Sequence, residues 1–145
     1  GLNLTANHGH TAMFGVYGML GIGLMLFCLR GLKPDLQWSE RLLKTCFWSL
    51  NIGLAGMSLF TLLPLGILQL DAAIEHGYWF ARSAEFMQQP IIDLLVWMRV
   101  PADTLFSVGA LALAWFVFRL WVAPKRGAPA SSATTVAAAA IMPRR

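Results

Sequence analysis

No Asp, Glu, Lys or Arg occurs in this chain before Arg30, and the residues up to that point are almost all apolar or small. Residues 5–29 make about 25 residues of helix, which at about 1.5 Å each exceeds a hydrocarbon core of roughly 30 Å. In lipid such a run satisfies its backbone only as a helix, because no water is present to take unpaired N–H and C=O groups. Two more runs of the same character follow, over about 45–70 and about 103–122. The chain is 57% hydrophobic and 12% charged, with a mean hydropathy of +0.61, which excludes an ordinary soluble domain. The fold class expected is an all-α membrane protein with three transmembrane helices.

The net charge of +4 and pI near 9.6 do not imply nucleic acid, because the basic residues lie between and after the apolar runs with no basic, aromatic-interleaved face. They read as topology signals. Arg30, Lys33, Arg41 and Lys44 fill the first connection and Lys125 and Arg126 follow the third span, whereas the second connection offers only Arg82 and Arg99 among several acids. By the positive-inside rule the first connection and the C-terminus are cytoplasmic, and the head of the first span lies near the outer, periplasmic face of a bacterial inner membrane. Cys28 and Cys46, both at span ends facing the cytoplasmic loop, are expected as reduced thiols.

Residues 1–122 form the membrane part, 71–100 an outer interfacial segment and 123–145 a flexible cytoplasmic tail of mostly small residues. In the first connection, Gly31 and Pro34 mark a helix end and Ser39 or Asp35 is a candidate cap for the second helix. Pro64 is expected to kink that helix and Pro101 to precede the third. Segment 71–100 mixes Asp71, Glu75, His76, Arg82, Glu85 and Asp93 with Tyr78, Trp79, Phe80, Phe86 and Trp97, a composition that settles at headgroup level. The chain begins at Gly1 with no charged n-region and reads as a fragment.

The chemistry concentrates in Asn7-His8-Gly9-His10-Thr11-Ala12-Met13-Phe14-Gly15. On an α-helix, residues two apart leave about 200° from each other, so His8 and His10 cannot chelate one ion together. They can put one neutral imidazole on each side of the helix, where two metal centres, typically haem irons, would flank it. On a strand the pair would share a face, but the following run is too long for one. From spacing alone, metal ligation and ordinary hydrogen bonding remain alternatives. Ala12, Gly15, Gly18 and Gly21 leave a strip of small residues suited to helix packing, with Gly9 and Gly15 the better candidates for close approach of a flat cofactor. His76 reads as a solvated interfacial group, and so do the carboxylates Glu75, Glu85, Asp93 and Asp103. No nucleophile motif, phosphate loop, CxxC pair or nucleotide fingerprint occurs.

Asn7 through Gly18, Phe47-Trp48-Ser49-Leu50-Asn51-Ile52-Gly53-Leu54, Gly77 through Ser83, and Trp97-Met98-Arg99 together resemble the C-terminal part of the quinol-dependent nitric oxide reductases, within the haem–copper oxidase superfamily. The resemblance covers about Asn3 to Val122. It implies that His8 is the proximal ligand of a high-spin haem b and His10 an axial ligand of a low-spin haem b. It also implies a non-haem iron whose ligands, with the catalytic glutamate, lie upstream of this chain. The implied reaction joins two nitric oxide molecules into nitrous oxide and water with electrons from quinol, a step of denitrification. The fragment alone is not expected to be active. Its partners are then the upstream part of the enzyme, quinol, nitric oxide and the lipid bilayer, with a homo-oligomer left open. Arg82, Arg99, Trp97 and Trp79 are candidates for haem propionate or quinol contacts. A cytochrome c-dependent nitric oxide reductase, a b-type cytochrome that only transfers electrons, and a transporter fragment are the competing readings.

Overall fold

The structure is a computed structural model that describes residues 2–34 and 37–122. Asp35 and the tail expected over 123–145 lie outside the described residues. Among those described, three helices are long and apolar enough to cross a membrane: α1 (Asn3–Leu32), α2 (Glu40–His76) and a third stretch, Pro90–Val122. That third stretch consists of α4 (Pro90–Trp97) and α5 (Arg99–Val122), and a 3-10 turn (Phe80–Arg82) and the short helix α3 (Ala84–Met87) connect α2 to it. The all-α membrane architecture read from the apolar runs is the one observed.

The three spans lie inside longer helices, and prolines explain where the ladders break. Gly31 does not end α1. The helix continues to Leu32 and stops at Lys33 (φ −136°, ψ 70°), because Pro34 disfavours helical backbone in the residue before it. Pro64 has no N–H and crowds the carbonyl of Phe60; α2 accommodates it by widening to a π-helical stretch over Ser58–Leu62, so the ladder continues across the proline. Pro101 acts likewise on the carbonyl of Trp97, and the third helix is interrupted at Met98, not entered after the proline. Ser39 stands at the N-cap of α2, where its backbone carbonyl accepts from Leu43 N–H but its side chain makes no capping bond.

Successive helices run antiparallel. Asn3 and Leu4 of α1 meet Gln69 and Gly66 of α2, and further along Gly15 meets Leu54. Gly53 and Leu50 of α2 meet Phe106 and Gly109 of α5, and Trp38, just ahead of α2, packs edge-on to Phe116 with ring centroids 5.2 Å apart. The α2–α5 crossing is close because two glycines face it. A Cβ on Gly53 would lie 2.6 Å from Phe106 N, and one on Gly109 2.8 Å from Leu50 N. Lipid tails are as apolar as the side chains, so helix association in a membrane relies on such close packing and on polar links across it. One polar link is the thiol of buried Cys46, 3.3 Å from Gly109 O. Both cysteines are free, Cys28 exposed and Cys46 buried.

α2 is the central helix: half of its most apolar window is buried, against none of that in α1. The face of α1 carrying Met13, Tyr17, Leu20 and Phe27 is exposed and needs an apolar surrounding. Two cores organise the rest. In one, Leu54, Met57 and Leu62 of α2 are packed by Phe14, Ala102 and Phe106, where all three helices meet. In the other, Ala81, Phe86, Ile92 and Leu95 fold back onto Leu65 and Ala72. The segment over 71–100 is thus divided: its first residues belong to α2, its last to α4 and α5, and its middle covers one end of α2 while exposing Trp79.

Candidate functional site

The site is built at the head of α1. Residues Asn3–Gly9 are α-helical, and from His10 to Gly18 the ladder widens to π-helical. Backbone dihedrals at Gly9 (−57°, −49°) and His10 (−65°, −43°) stay α-like, so the two imidazoles leave the helix on nearly opposite sides as their spacing requires. His8 is exposed and His10 half-buried.

The His10 ring is oriented by its own helix. Its Nδ1 lies 2.7 Å from Ala6 O, a carbonyl that cannot donate, so Nδ1 carries the proton and Nε2 keeps its lone pair. A link of this kind, from ring N–H to backbone carbonyl, is how metal-binding histidines are held in the ligating tautomer. Thr11 donates its hydroxyl to Asn7 O at 2.8 Å and reaches His8 O at 3.2 Å, taking up carbonyls where the ladder changes pitch.

His10 lines a cavity of about 340 Å³ with Phe14, Leu54, Met57, Arg99, Asp103, Phe106 and Ser107. Its walls are mostly apolar, Phe14 and Phe106 meeting edge-to-face with centroids 4.8 Å apart. At its rim Arg99 Nε donates to Asp103 Oδ2 at 2.9 Å, one helical turn apart on α5. Asp103, expected to be a solvated charge, is therefore paired. A free imidazole nitrogen, apolar walls and one guanidinium are a donor set that fits a haem, whose macrocycle wants an apolar slot and whose propionates want a cation. Among the described residues no three His, Cys, Asp or Glu side chains converge on one point, so a metal held by this chain takes one protein ligand from it per centre.

Of the four aromatic and basic candidates, only Arg99 lines the cavity with His10. The Arg82 guanidinium lies 5.9 Å from the centre of the Tyr78 ring, and Trp79 and Trp97 are 85% and 66% exposed, in keeping with an interfacial belt. His76 sits in the open beside Glu75 at 3.8 Å, its ring 4.8 Å from that of Phe80. Of the two favoured glycines, Gly15 is in helix packing, where a Cβ would meet Leu54 at 3.2 Å, whereas Gly9 has nothing within 4 Å. Leu54, Met57 and Phe106 are lining residues that nothing in the sequence distinguishes from other apolar positions. The Arg99–Asp103 link does have a sequence signal, opposite charges four residues apart, which the expectation of a solvated Asp103 overlooked.

A helical membrane protein that offers single histidines on two sides of one span has the form of a haem-carrying electron-transfer core. Residues 1–105 match the family described as cytochrome c and quinol oxidase polypeptide I, and the chain belongs to that family. It is also 29% identical over 121 residues to a nitric oxide reductase polypeptide of Stutzerimonas stutzeri, an alignment covering 75% of this chain and 23% of that protein. The chain thus spans less than a quarter of that relative. It is a multi-pass membrane member of an oxidoreductase family, and membership implies haem and metal cofactors.

Proposed function

We propose that this chain is the C-terminal part of a nitric oxide reductase that reduces two nitric oxide molecules to nitrous oxide and water with quinol electrons. The observation that carries the proposal is the His10 ring, held by Ala6 O with Nε2 free at an apolar cavity whose rim bears Arg99, while His8 leaves the other side of the same helix. In this reading His10 is an axial ligand of a low-spin haem b and His8 the proximal ligand of a high-spin haem b. The helix between them fixes the separation of the two centres. When bound, the haems supply one-electron redox chemistry and, at the high-spin site, an open coordination position.

The residues of this chain do the rest. His10 donates from Nδ1 to Ala6 O, which raises its basicity as a ligand. Phe14, Leu54, Met57 and Phe106 keep water from the cavity, and Arg99 offers a cation to a propionate or a quinol headgroup, with Asp103 holding that cation in place. Non-haem iron ligands and the catalytic glutamate belong to the upstream part of the enzyme. The Lys/Arg-rich first connection supports a cytoplasmic location for that end and a periplasmic one for the histidines in a bacterial inner membrane. The Phe47–Leu54 and Gly77–Ser83 blocks support quinol over cytochrome c as the donor.

A reduced-minus-oxidised spectrum of the full-length enzyme, before and after carbon monoxide, tests this. The expected result is two b-type haems, one of which binds carbon monoxide. Two haems that both ignore it would leave a plain electron carrier, and no haem would end the reading. Turnover with quinol set against turnover with reduced cytochrome c identifies the donor. Exchanging Arg99 for Gln is expected to lower quinol turnover by about ten- to a hundredfold with haem content kept, the scale of a lost charged hydrogen bond. Unchanged kinetics would remove Arg99 from the site.

A further inference from the structure

Gln69 is 4% exposed in the apolar interior of α2, yet every polar atom of its side chain is engaged. Its Oε1 accepts from the backbone N–H of Asn3 at 2.8 Å and from Asn3 Nδ2 at 2.9 Å. Its Nε2 donates to Ala81 O at 3.2 Å and reaches Met87 Sδ at 3.7 Å. A helix begins with N–H groups that have no partner within it, and Leu2, at the N-cap of α1, has no side-chain oxygen to supply one. Gln69 supplies that oxygen from the neighbouring helix.

The same turn is held from below. A Cβ on Gly66 would lie 2.6 Å from Leu4 N and 2.7 Å from Leu4 Cγ, so the first turn of α1 rests on bare backbone of α2. Three residues after Asn3, and so on the same face, comes Ala6, whose carbonyl accepts from the His10 ring. The chain of contacts runs from Gln69 to Asn3, through one rigid turn to Ala6 O, and on to His10 Nδ1.

We propose that Gln69 is a positioning residue for the haem centres, setting through Asn3 the height and rotation of the helix head that presents His10. The inference rests on the reading of His10 as a haem ligand. A loosened first turn lets Ala6 O shift, and the imidazole follows it, altering ligand basicity and ring orientation.

The test uses the full-length enzyme with Gln69→Leu, Asn3→Ala and the double variant, compared with Leu120→Ala, which trims a buried side chain elsewhere on α5. The readouts are the midpoint potential of the low-spin haem and the EPR g values of its ferric form, which follow imidazole orientation. Gln69→Leu is expected to shift both with haem retained, Asn3→Ala to shift them in the same direction by less, and the double variant to add little to Gln69→Leu. Leu120→Ala is expected to lower thermal stability without moving either. Should Gln69→Leu fail to assemble, Asn3→Ala carries the same expectation alone, because it leaves the backbone bond intact. Haem present with potential and g values untouched in the clamp variants, or shifts no different from those of Leu120→Ala, would overturn the role of Gln69 alone. An unsubstituted enzyme without haem would overturn the ligand reading and this inference with it.

Discussion

His10→Ala in the full-length enzyme is expected to remove the low-spin haem signature from the reduced spectrum and bring quinol-driven turnover to background, while the carbon monoxide response of the other haem survives. His8→Ala is expected to do the reverse: the carbon monoxide response is lost, the low-spin signature persists, and turnover again falls to background. The contrast follows from geometry. Each histidine serves one side of α1, and on the His10 side the cavity stays walled by Phe14, Leu54 and Phe106 when the imidazole is removed. Loss of the ligand rather than collapse of the site is then what the spectrum reads. Normal haem content, ligand states and turnover in both variants would end the assignment, and exchanged phenotypes would exchange the two roles.

The largest stability effect is expected at the α2–α5 crossing. Gly53→Ala puts a methyl 2.6 Å from Phe106 N and 2.9 Å from Ala102 O and Phe106 Cα, all backbone atoms of a helix that cannot yield locally. The helices must separate, opening the contacts of Leu54, Met57 and Phe106 beside the cavity. Overpacking of this kind costs about 1–3 kcal/mol or more, and Gly109→Ala, 2.8 Å from Leu50 N, belongs to the same class. Gly21→Ala is the control, with nothing within 4 Å, and gains helix propensity of up to about 1 kcal/mol. Thermal denaturation of the full-length enzyme in detergent, followed by haem release, measures all three. Equal midpoints for Gly53→Ala and Gly21→Ala would show that the crossing is looser than described.

The three spans were legible because charge-free runs of that length have one solution in lipid, and the opposed directions of His8 and His10 because helical rotation alone dictates them. What covers each face was not legible. The strip of Ala12, Gly15, Gly18 and Gly21 drew attention, yet the backbone contacts fall on Gly53, Gly66 and Gly109, isolated glycines whose partners lie on another helix. Gln69 is a single amide in an apolar run, and its meaning comes from Asn3, 66 residues away. Arg82 and Arg99 looked equivalent on the same predicted side, and tertiary placement alone separates the one beside Tyr78 from the one that shares a cavity with His10. Prolines signalled interruption correctly, but at Pro64 the helix absorbed it in wider turns ahead of the ring.

The π-helical stretch over His10–Gly18 carries a constraint on insertions and deletions. A ladder that reaches back five residues consumes more chain per turn than one that reaches back four, so this stretch holds surplus length between two anchored points. At one end Asn3 is tied to Gln69, and at the other Gly15 is seated against Leu54. Shortening the stretch by one residue would permit an ordinary α ladder, but it would also turn the head of the helix by about 100° relative to the rest. Either Asn3 would leave Gln69 or the imidazole would leave the wall it shares with Phe106. The reading frame of this helix is thus pinned by its widened middle, and tolerance to a one-residue indel should be lowest where the side chains are most exposed.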